Sequence, residues 1–426
     1  MEWLAGAYDV VVVGGGAAGI CASLQSARAG ASTLLVEKNA LLGGTMTTGG
    51  VCFPGLFWAW GRQIIAGVGW ELVRRTLDEM DAELPPYDDL SLPHPRHQVP
   101  LDAPLLAALA DELLLEAGCT ILLHTMLAEL RWDGERWQVT LCCKEGLRQV
   151  SARAMVDATG DANAVRLAGG ALHRHETLQP GTIMMKVEGY DRENLDYVAI
   201  ASAFESAASE GHVKWSDVGS HSPSAVEHFL RAGGGNCTHV VGVDGETSLG
   251  RTEAELEAHR LVLRLYRFFR EQPGLEGFRV VWCAPECGIR ETVTIDGIAS
   301  ITLADYVGGR IWPDAVCYSF YPIDLHDIAG DGVRPEPLAF GTVPSIPRGA
   351  LIPRGLPNLV VAGRCIAGDR YANSACRVQA TCMATGQAAG AMACLAAASG
   401  LAPADLPMGD LRSLLLEHGA ILPPLP

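Results

Sequence analysis

Gly14-Gly15-Gly16-Ala17-Ala18-Gly19 follows directly on the β-branched run Tyr8 to Val13 and opens a small-residue helical stretch running to Ala29. Strand, glycine turn and helix in immediate succession leave few folds available, because each glycine meets a separate steric demand. Gly14 permits the tight turn, Gly16 lets backbone approach a bound pyrophosphate, and Gly19 lets the helix pack on the strand. The helix N-terminus adds unpaired N–H donors for an anion. A second strand, Ser32 to Val36, ends at Glu37, 18 residues beyond Gly19, near the spacing at which an acidic side chain accepts from an adenosine ribose. A 2′-phosphate would be repelled there. The pattern predicts a dinucleotide cradle built from these glycines, Ala17, Ala18 and Glu37.

A second glycine-rich loop, Gly43-Gly44-Thr45-Met46-Thr47-Thr48-Gly49-Gly50, follows the Glu37 strand at once. A plain nicotinamide dehydrogenase does not usually need one. Such a loop can wrap a ribityl-pyrophosphate chain and offer backbone amides and threonine hydroxyls to a flavin ring. Charge narrows the partners further: the formal net charge of −17 and the absence of any Lys/Arg-rich stretch exclude a field that attracts phosphate backbones, so nucleic acid is not an expected partner. The longest small-apolar run, Ala388 to Ala398, is too short to span a bilayer. The N-terminal residues lack a basic n-region, and the 13 cysteines read as small buried hydrophobes of a reducing compartment, so a cytoplasmic location is expected.

Two later segments extend the pattern. Met155 to Gly169 carries Ala-Thr-Gly at a strand end, with Thr159, Gly160 and Asp161. Asn358 to Gly390 carries a strand that delivers Gly363 and Arg364, then a long small-residue helix from about Ala375. On these motifs the chain resembles the FAD-dependent oxidoreductases of the glutathione-reductase-like superfamily. It is more narrowly similar to a stand-alone subgroup in which GIRET, Gly288 to Thr292, precedes YPIDLH, Tyr321 to His326. The resemblance implies an α/β fold: an FAD-binding Rossmann domain with a β-meander, and an inserted α+β substrate or cap domain. It implies FAD as cofactor, held by Gly14 to Gly19, Glu37, Lys38, Gly43 to Thr47, Leu127, Thr159 to Asp161, Gly363, Arg364, Val378 and Gln379. Val378 and Gln379 would present backbone donors at a helix N-terminus facing the flavin pyrimidine edge, where reduction leaves negative charge.

Departures from relatives bound the chemistry. Met46 and Val51 stand where dithiol reductases carry a redox cysteine pair, and Cys52 is alone, so no redox disulfide is expected. Gly233-Gly234-Gly235 follows helix-like sequence and lacks the third fingerprint glycine, so no separate NAD(P)H domain is expected. Val293-Thr294-Ile295 replaces two arginines expected after the Arg-Glu-Thr, which puts a strongly basic pocket wall in doubt. Cys283 and Cys287 lack the further ligands of a metal site, and none is expected. His173 and His175, at strand spacing, read as a surface pair rather than a covalent flavin link.

The remaining pattern predicts a helix over 102–117 with Leu105, Leu106, Leu109, Leu113 and Leu114 on one face, a strand from Thr120 to Thr125, and a hairpin with Asp133-Gly134 at its tip. Thr252 to Glu255 reads as a capping box opening a helix to about Arg270, with Leu256, Leu263 and Phe268 packing. Strands are expected at Phe278 to Cys283 and Ala315 to Ile323, and a tail helix at Gly409 to His418. The expected domains are FAD-binding at 1–172 and 349–402, cap at 173–348, and a tail at 403–426. His326 is a candidate base for a substrate C–OH or C–NH, or a structural histidine oriented by Asp324. Arg290 is a candidate clamp for a substrate carboxylate or flavin carbonyl, or half of a structural pair with Glu291. Arg364 is assigned to the cofactor, and Arg377 to phosphate or substrate. The expected activity is oxidation of a small organic substrate by hydride transfer to flavin, with electrons leaving to oxygen, a quinone or a protein carrier. A C=C reductase or a non-catalytic electron-transfer subunit are the rivals. A homodimer is implied by the resemblance only.

Overall fold

The computed structural model describes residues 6–326 and 336–424. Tyr8 to Val13 lies within β1 (Ala7–Val13), the helix that follows is α1 (Ala17–Arg28), and β2 (Thr33–Val36) returns parallel to β1. All four β2 residues are buried, as expected of a parallel strand covered on both faces. The sheet runs in the order Thr120–Leu122, β2, β1, Gly146–Asp157, Trp137–Cys143, Met126–Trp132, and Leu359–Val361 also pairs with Gly146–Asp157.

The 12-residue strand Gly146–Asp157 joins the parallel and antiparallel parts of this sheet. Its first half pairs antiparallel with Trp137–Cys143, completing the expected meander, and its second half runs parallel to β1 and Leu359–Val361. The hairpin closes with Trp132 opposite Trp137, around a turn whose Asp133 side chain accepts from the backbone N–H of Glu135 and Arg136. Cys142 is exposed and Cys143 buried, as alternation on one strand requires.

The small-residue helix begins at Gln379, not near Ala375. A short helix, Arg370–Cys376, ends first, and the chain turns at Arg377 and Val378 before Gln379–Ser399 starts. Its glycines let it lie directly on α1: a Cβ at Gly386 would stand 2.1 Å from the Ala18 carbonyl oxygen, and one at Gly390 2.2 Å from that of Ala22. Close approach of two backbones, rather than interlocking large side chains, fixes this contact.

The buried hydrophobic residues divide into two cores. One lies around the large sheet, and the other spans Ile183 to Ile289. The second is built on a three-stranded antiparallel sheet, Gly234–Gly235, Met185–Glu188, Arg279–Cys283, covered by helices that bring together Phe204, Phe229, Phe268 and Phe269. The expected 173–348 domain differs from this division: Val293, Ile295, Ile301, Tyr306, Val316 and Ile346 all join the first core. The expected strand to Ile323 stops at Tyr318, where it pairs with Ser345–Pro347, so His326 lies beyond its end.

Three smaller corrections share one cause, local spacing overruled by packing. The long helix starts at Ser248, capped by Thr247, so Thr252 lies inside it; Leu256 and Leu263 face solvent while Leu261, Leu265, Phe268 and Phe269 are buried. In Ala103–Glu116, capped by Asp102, the buried face is Leu106, Ala110, Leu113 and Leu114, and Leu105 is exposed. The strand expected over Thr120 to Thr125 ends at Leu122.

Candidate functional site

A cavity of about 350 Å³ opens where the first core meets the second, a size usual for a ligand pocket. At one end stands the glycine turn. Gly14 adopts φ +98°, and a Cβ there would lie 2.5 Å from the Ala158 carbonyl oxygen. At Gly19 a Cβ would lie 1.7 Å from the Gly14 carbonyl oxygen, so this position fixes how closely α1 packs. Gly16 is different: a Cβ there would meet no protein atom within 4 Å, and the residue lines the cavity. The fold itself therefore leaves Gly16 free, and the open space on its cavity side suits a ligand.

Glu37 is buried at the end of β2. Its carboxylate accepts from Gly15 N at 2.6 Å and from Asn39 N at 2.8 Å, which ties the first glycine loop to the end of β2. Gly43 N donates to Gly15 O at 2.8 Å, laying the second loop on the first. Two threonine hydroxyls of that loop bond back to its own backbone. Thr47 Oγ1 donates to Leu42 O at 2.7 Å and Thr48 Oγ1 to Gly44 O at 3.1 Å. A loop of glycines needs such internal bonds to hold one shape.

Asp157 and Asp161 organise the Ala-Thr-Gly element. Buried Asp157 accepts from Thr159 Oγ1 and from the N–H groups of Thr159, Ala164 and Val165. Asp161 takes Arg364 Nη2 at 2.5 Å and Thr292 Oγ1 at 3.0 Å. Arg364 also donates to Gly160 O and to Ile289 O. The arginine assigned to the cofactor thus spends its donors tying the second unit to the first, although it borders the cavity.

The far end is lined by Arg290, Tyr321, Asp324, His326 and Arg377. Arg377 Nη2 donates to Asp324 Oδ2 at 3.2 Å and to Asp324 O at 3.1 Å. His326 Nε2 stands 3.5 Å from Asp324 Oδ1, and His326 Nδ1 stands 3.0 Å from His239 Nε2. Burial opposes charge on Asp324, but the His326 hydrogen bond and the Arg377 charge hold its carboxyl well below the usual range. Burial and then the charge of Arg290 push His326 down to about 4, against the pull of Asp324. Burial, then Arg290 and His326, push His239 down to about 3. Both imidazoles are neutral at pH 7, and His239 belongs to the second unit, which the sequence did not single out.

Arg290 is 9% exposed, and burial followed by the charge of Arg377 lowers it to about 10. Its sequence neighbour Glu291 does not pair with it, but accepts from Arg370 Nε at 3.2 Å and Gln179 N at 3.0 Å.

Of the residues expected at the cofactor, Gly14, Gly16, Ala17, Ala18, Glu37, Lys38, Gly43 to Met46, Leu127, Thr159 to Asp161, Gly363, Arg364, Val378 and Gln379 line this one cavity. Gly15, Gly19 and Thr47 stand behind it in the supporting bonds described above. Arg251, Glu286 and Asn236 line it from the second unit and carried no motif in the sequence. Lys38 reaches across to Glu286 at 2.6 Å.

These residues fit FAD. The α1 helix starts at the cavity with no side-chain cap on its N-terminal amides, and so does Gln379–Ser399. Arg377 Nε and Gln379 Oε1 are buried without a protein partner among the described residues, and both side chains line the cavity. Unsatisfied buried polar atoms are costly, and a polar ligand offsets that cost.

A family model described as FAD dependent oxidoreductase matches residues 9–415. The chain is 35% identical over 167 residues to a thiamine thiazole synthase of Aeropyrum pernix, covering 36% of this chain and 54% of that one. It is 45% identical over 62 residues to a 4-oxocyclohexanecarboxylate 2-dehydrogenase of Sinomonas cyclohexanicum, covering 14% and 10%. The chain therefore spans about half, or less, of the curated relatives it matches. Similar solved structures include an anhydrotetracycline hydroxylase from Streptomyces rimosus, at 14% identity and TM-score 0.45, covering 97% of this chain and 66% of that chain. Another is a geranylgeranyl bacteriochlorophyll reductase-like protein from Thermoplasma acidophilum, at 13% identity and TM-score 0.44, covering 97% and 82%. Among the described residues, no helix is long and apolar enough to cross a membrane.

Proposed function

Because the chain belongs to the FAD-dependent oxidoreductase family, with FAD as its cofactor, we propose that it oxidises a small organic substrate at the far end of the cavity, in a cytosolic setting. The observation that carries this reading is the continuity of one cavity from the Gly16 cradle to the His326 cluster. FAD, when bound, supplies the two-electron acceptor to which a substrate hydride passes. Gly14 to Gly19, Glu37, Thr159 to Asp161 and Gly363 would hold its dinucleotide part, and Val378 with Gln379 its ring end.

His326 takes the proton that a substrate O–H or N–H releases as the hydride leaves, giving a C=O or C=N product. His326 Nε2 lies beside Asp324 Oδ1, so the imidazolium formed on taking the proton is stabilised by that carboxylate. Arg377 holds Asp324 in place. The electrons so accepted would leave to oxygen, a quinone or a protein carrier. Gly233 serves as the C-cap of helix Pro223–Ala232, which supports reading Gly233-Gly234-Gly235 as something other than a second dinucleotide turn.

The test is anaerobic reduction of the holoenzyme by a panel of alcohols, amines and hydroxy acids, followed as bleaching of the flavin bands. His326→Gln is expected to bind FAD normally and to slow bleaching by about 10²- to 10⁴-fold, the usual span for a general base. Equal rates in the variant would refute the base assignment. Flavin that no panel member reduces, but that a partner carrier does, would favour an electron-transfer subunit.

A further inference from the structure

Four arginines line the cavity, and three of them face a carboxylate. Arg364 and Arg251 stand 2.5 and 4.0 Å from Asp161, and Arg377 pairs with Asp324. Arg290 has none among the described residues. Its Nη1 donates to the Pro180 carbonyl oxygen at 2.7 Å, and Asp324, the carboxylate whose charge it feels, is already bonded by Arg377. A guanidinium cannot shed its proton at neutral pH, so an unmatched one held out of water is costly to the fold. Arg290 borders the cavity, where a counter-ion can reach it.

We infer that the missing counter-ion is the substrate: the cavity takes a small organic carboxylate, whose anionic group sits on Arg290. This rests on the reading of the cavity as the catalytic pocket. It also gives the base a reason to work. Arg290 is the charge that most depresses His326 and His239, and a bound anion cancels it. Binding of the correct substrate would therefore raise the basicity of His326 in the same event.

The test uses the FAD-loaded protein and monocarboxylates from acetate to benzoate, each beside its neutral amide, at fixed ionic strength. Visible difference spectra and thermal unfolding are read together. Expected are saturable carboxylate binding at least 10-fold tighter than the amide, a rise in melting temperature with carboxylate, and loss of both by 30-fold or more in Arg290→Gln. The Gln variant should itself melt no lower than the wild type, because an unmatched buried charge has gone. A residue that merely bridges to Pro180 would give the opposite: a lower melting point with carboxylate affinity retained. That result, or no preference for any carboxylate over its amide, overturns the inference. So does weakened FAD binding in Arg290→Gln, which would make the arginine a cofactor contact. Carboxylate protection with unchanged flavin bands would keep the anion site and overturn the catalytic-pocket reading instead.

Discussion

Gly16→Ala separates ligand binding from folding. Gly16 has φ −73° and ψ −173°, backbone that alanine adopts freely, and its Cβ would meet no protein atom within 4 Å. As the N-cap of α1, glycine is favoured over alanine by a fraction of about 1 kcal/mol, but alanine recovers about 0.4–1 kcal/mol by restricting the unfolded chain. The two nearly cancel, so the apoprotein should melt within about 2 °C of wild type. The FAD complex should suffer, because the new methyl group stands between the helix amides and the pyrophosphate. Losing one charge-assisted hydrogen bond of about 1.5–3 kcal/mol weakens FAD binding roughly 10- to 150-fold. Gly19→Ala is the control: its Cβ would sit 1.7 Å from Gly14 O, and the displacement of α1 should cost the apoprotein about 3 kcal/mol. Thermal melts of both apoproteins and quenching of FAD fluorescence on titration supply the numbers. Equal destabilisation by the two substitutions, or FAD affinity within twofold of wild type for Gly16→Ala, would refute the assignment of open space at Gly16 to the cofactor.

Further outcomes follow from the same geometry. His326 at about 4 and His239 at about 3 lie below the ordinary 6.5, so the unfolded chain binds more protons between those values and stability falls as pH drops from about 6.5 toward 4. For His326 alone the loss between pH 7.5 and 5 is about 2 kcal/mol, and urea melts of His326→Gln should show a flatter pH dependence; an unchanged slope sinks the claim. Asp157→Ala leaves the N–H groups of Thr159, Ala164 and Val165 without their acceptor and should cost more than about 3 kcal/mol by chemical denaturation, while a loss under 1 kcal/mol would contradict this account. Glu286→Gln breaks the half-exposed link to Lys38, so global stability should fall by less than about 1 kcal/mol, yet FAD release should become faster and lose its salt dependence; stopped-flow release at two ionic strengths decides it.

The dinucleotide half was legible in the chain because its constraints are local. A positive φ at Gly14, a backbone contact at Gly19 and an acidic strand end at Glu37 lie within 24 residues, and each demands a particular residue type. The meander and the Asp133-Gly134 hairpin were readable for the same reason, since period-2 alternation and a tight turn are short-range properties. Helix starts and packing faces were less so: Thr247 rather than Thr252 caps the long helix, and Leu105 faces solvent, because both depend on which neighbours arrive. The reacting end was decided by tertiary structure alone. His239 meets His326 across 87 positions, and Asp161 meets Arg364 across 203. No spacing rule links such distant residues, and the burial that keeps both imidazoles neutral exists only once the two cores close around them. Which arginine at the cavity lacks a carboxylate among the described residues is likewise a property of the whole charge arrangement. Sequence supplied Arg290 beside Glu291; the fold gave Glu291 to Arg370 and left Arg290 facing the cavity.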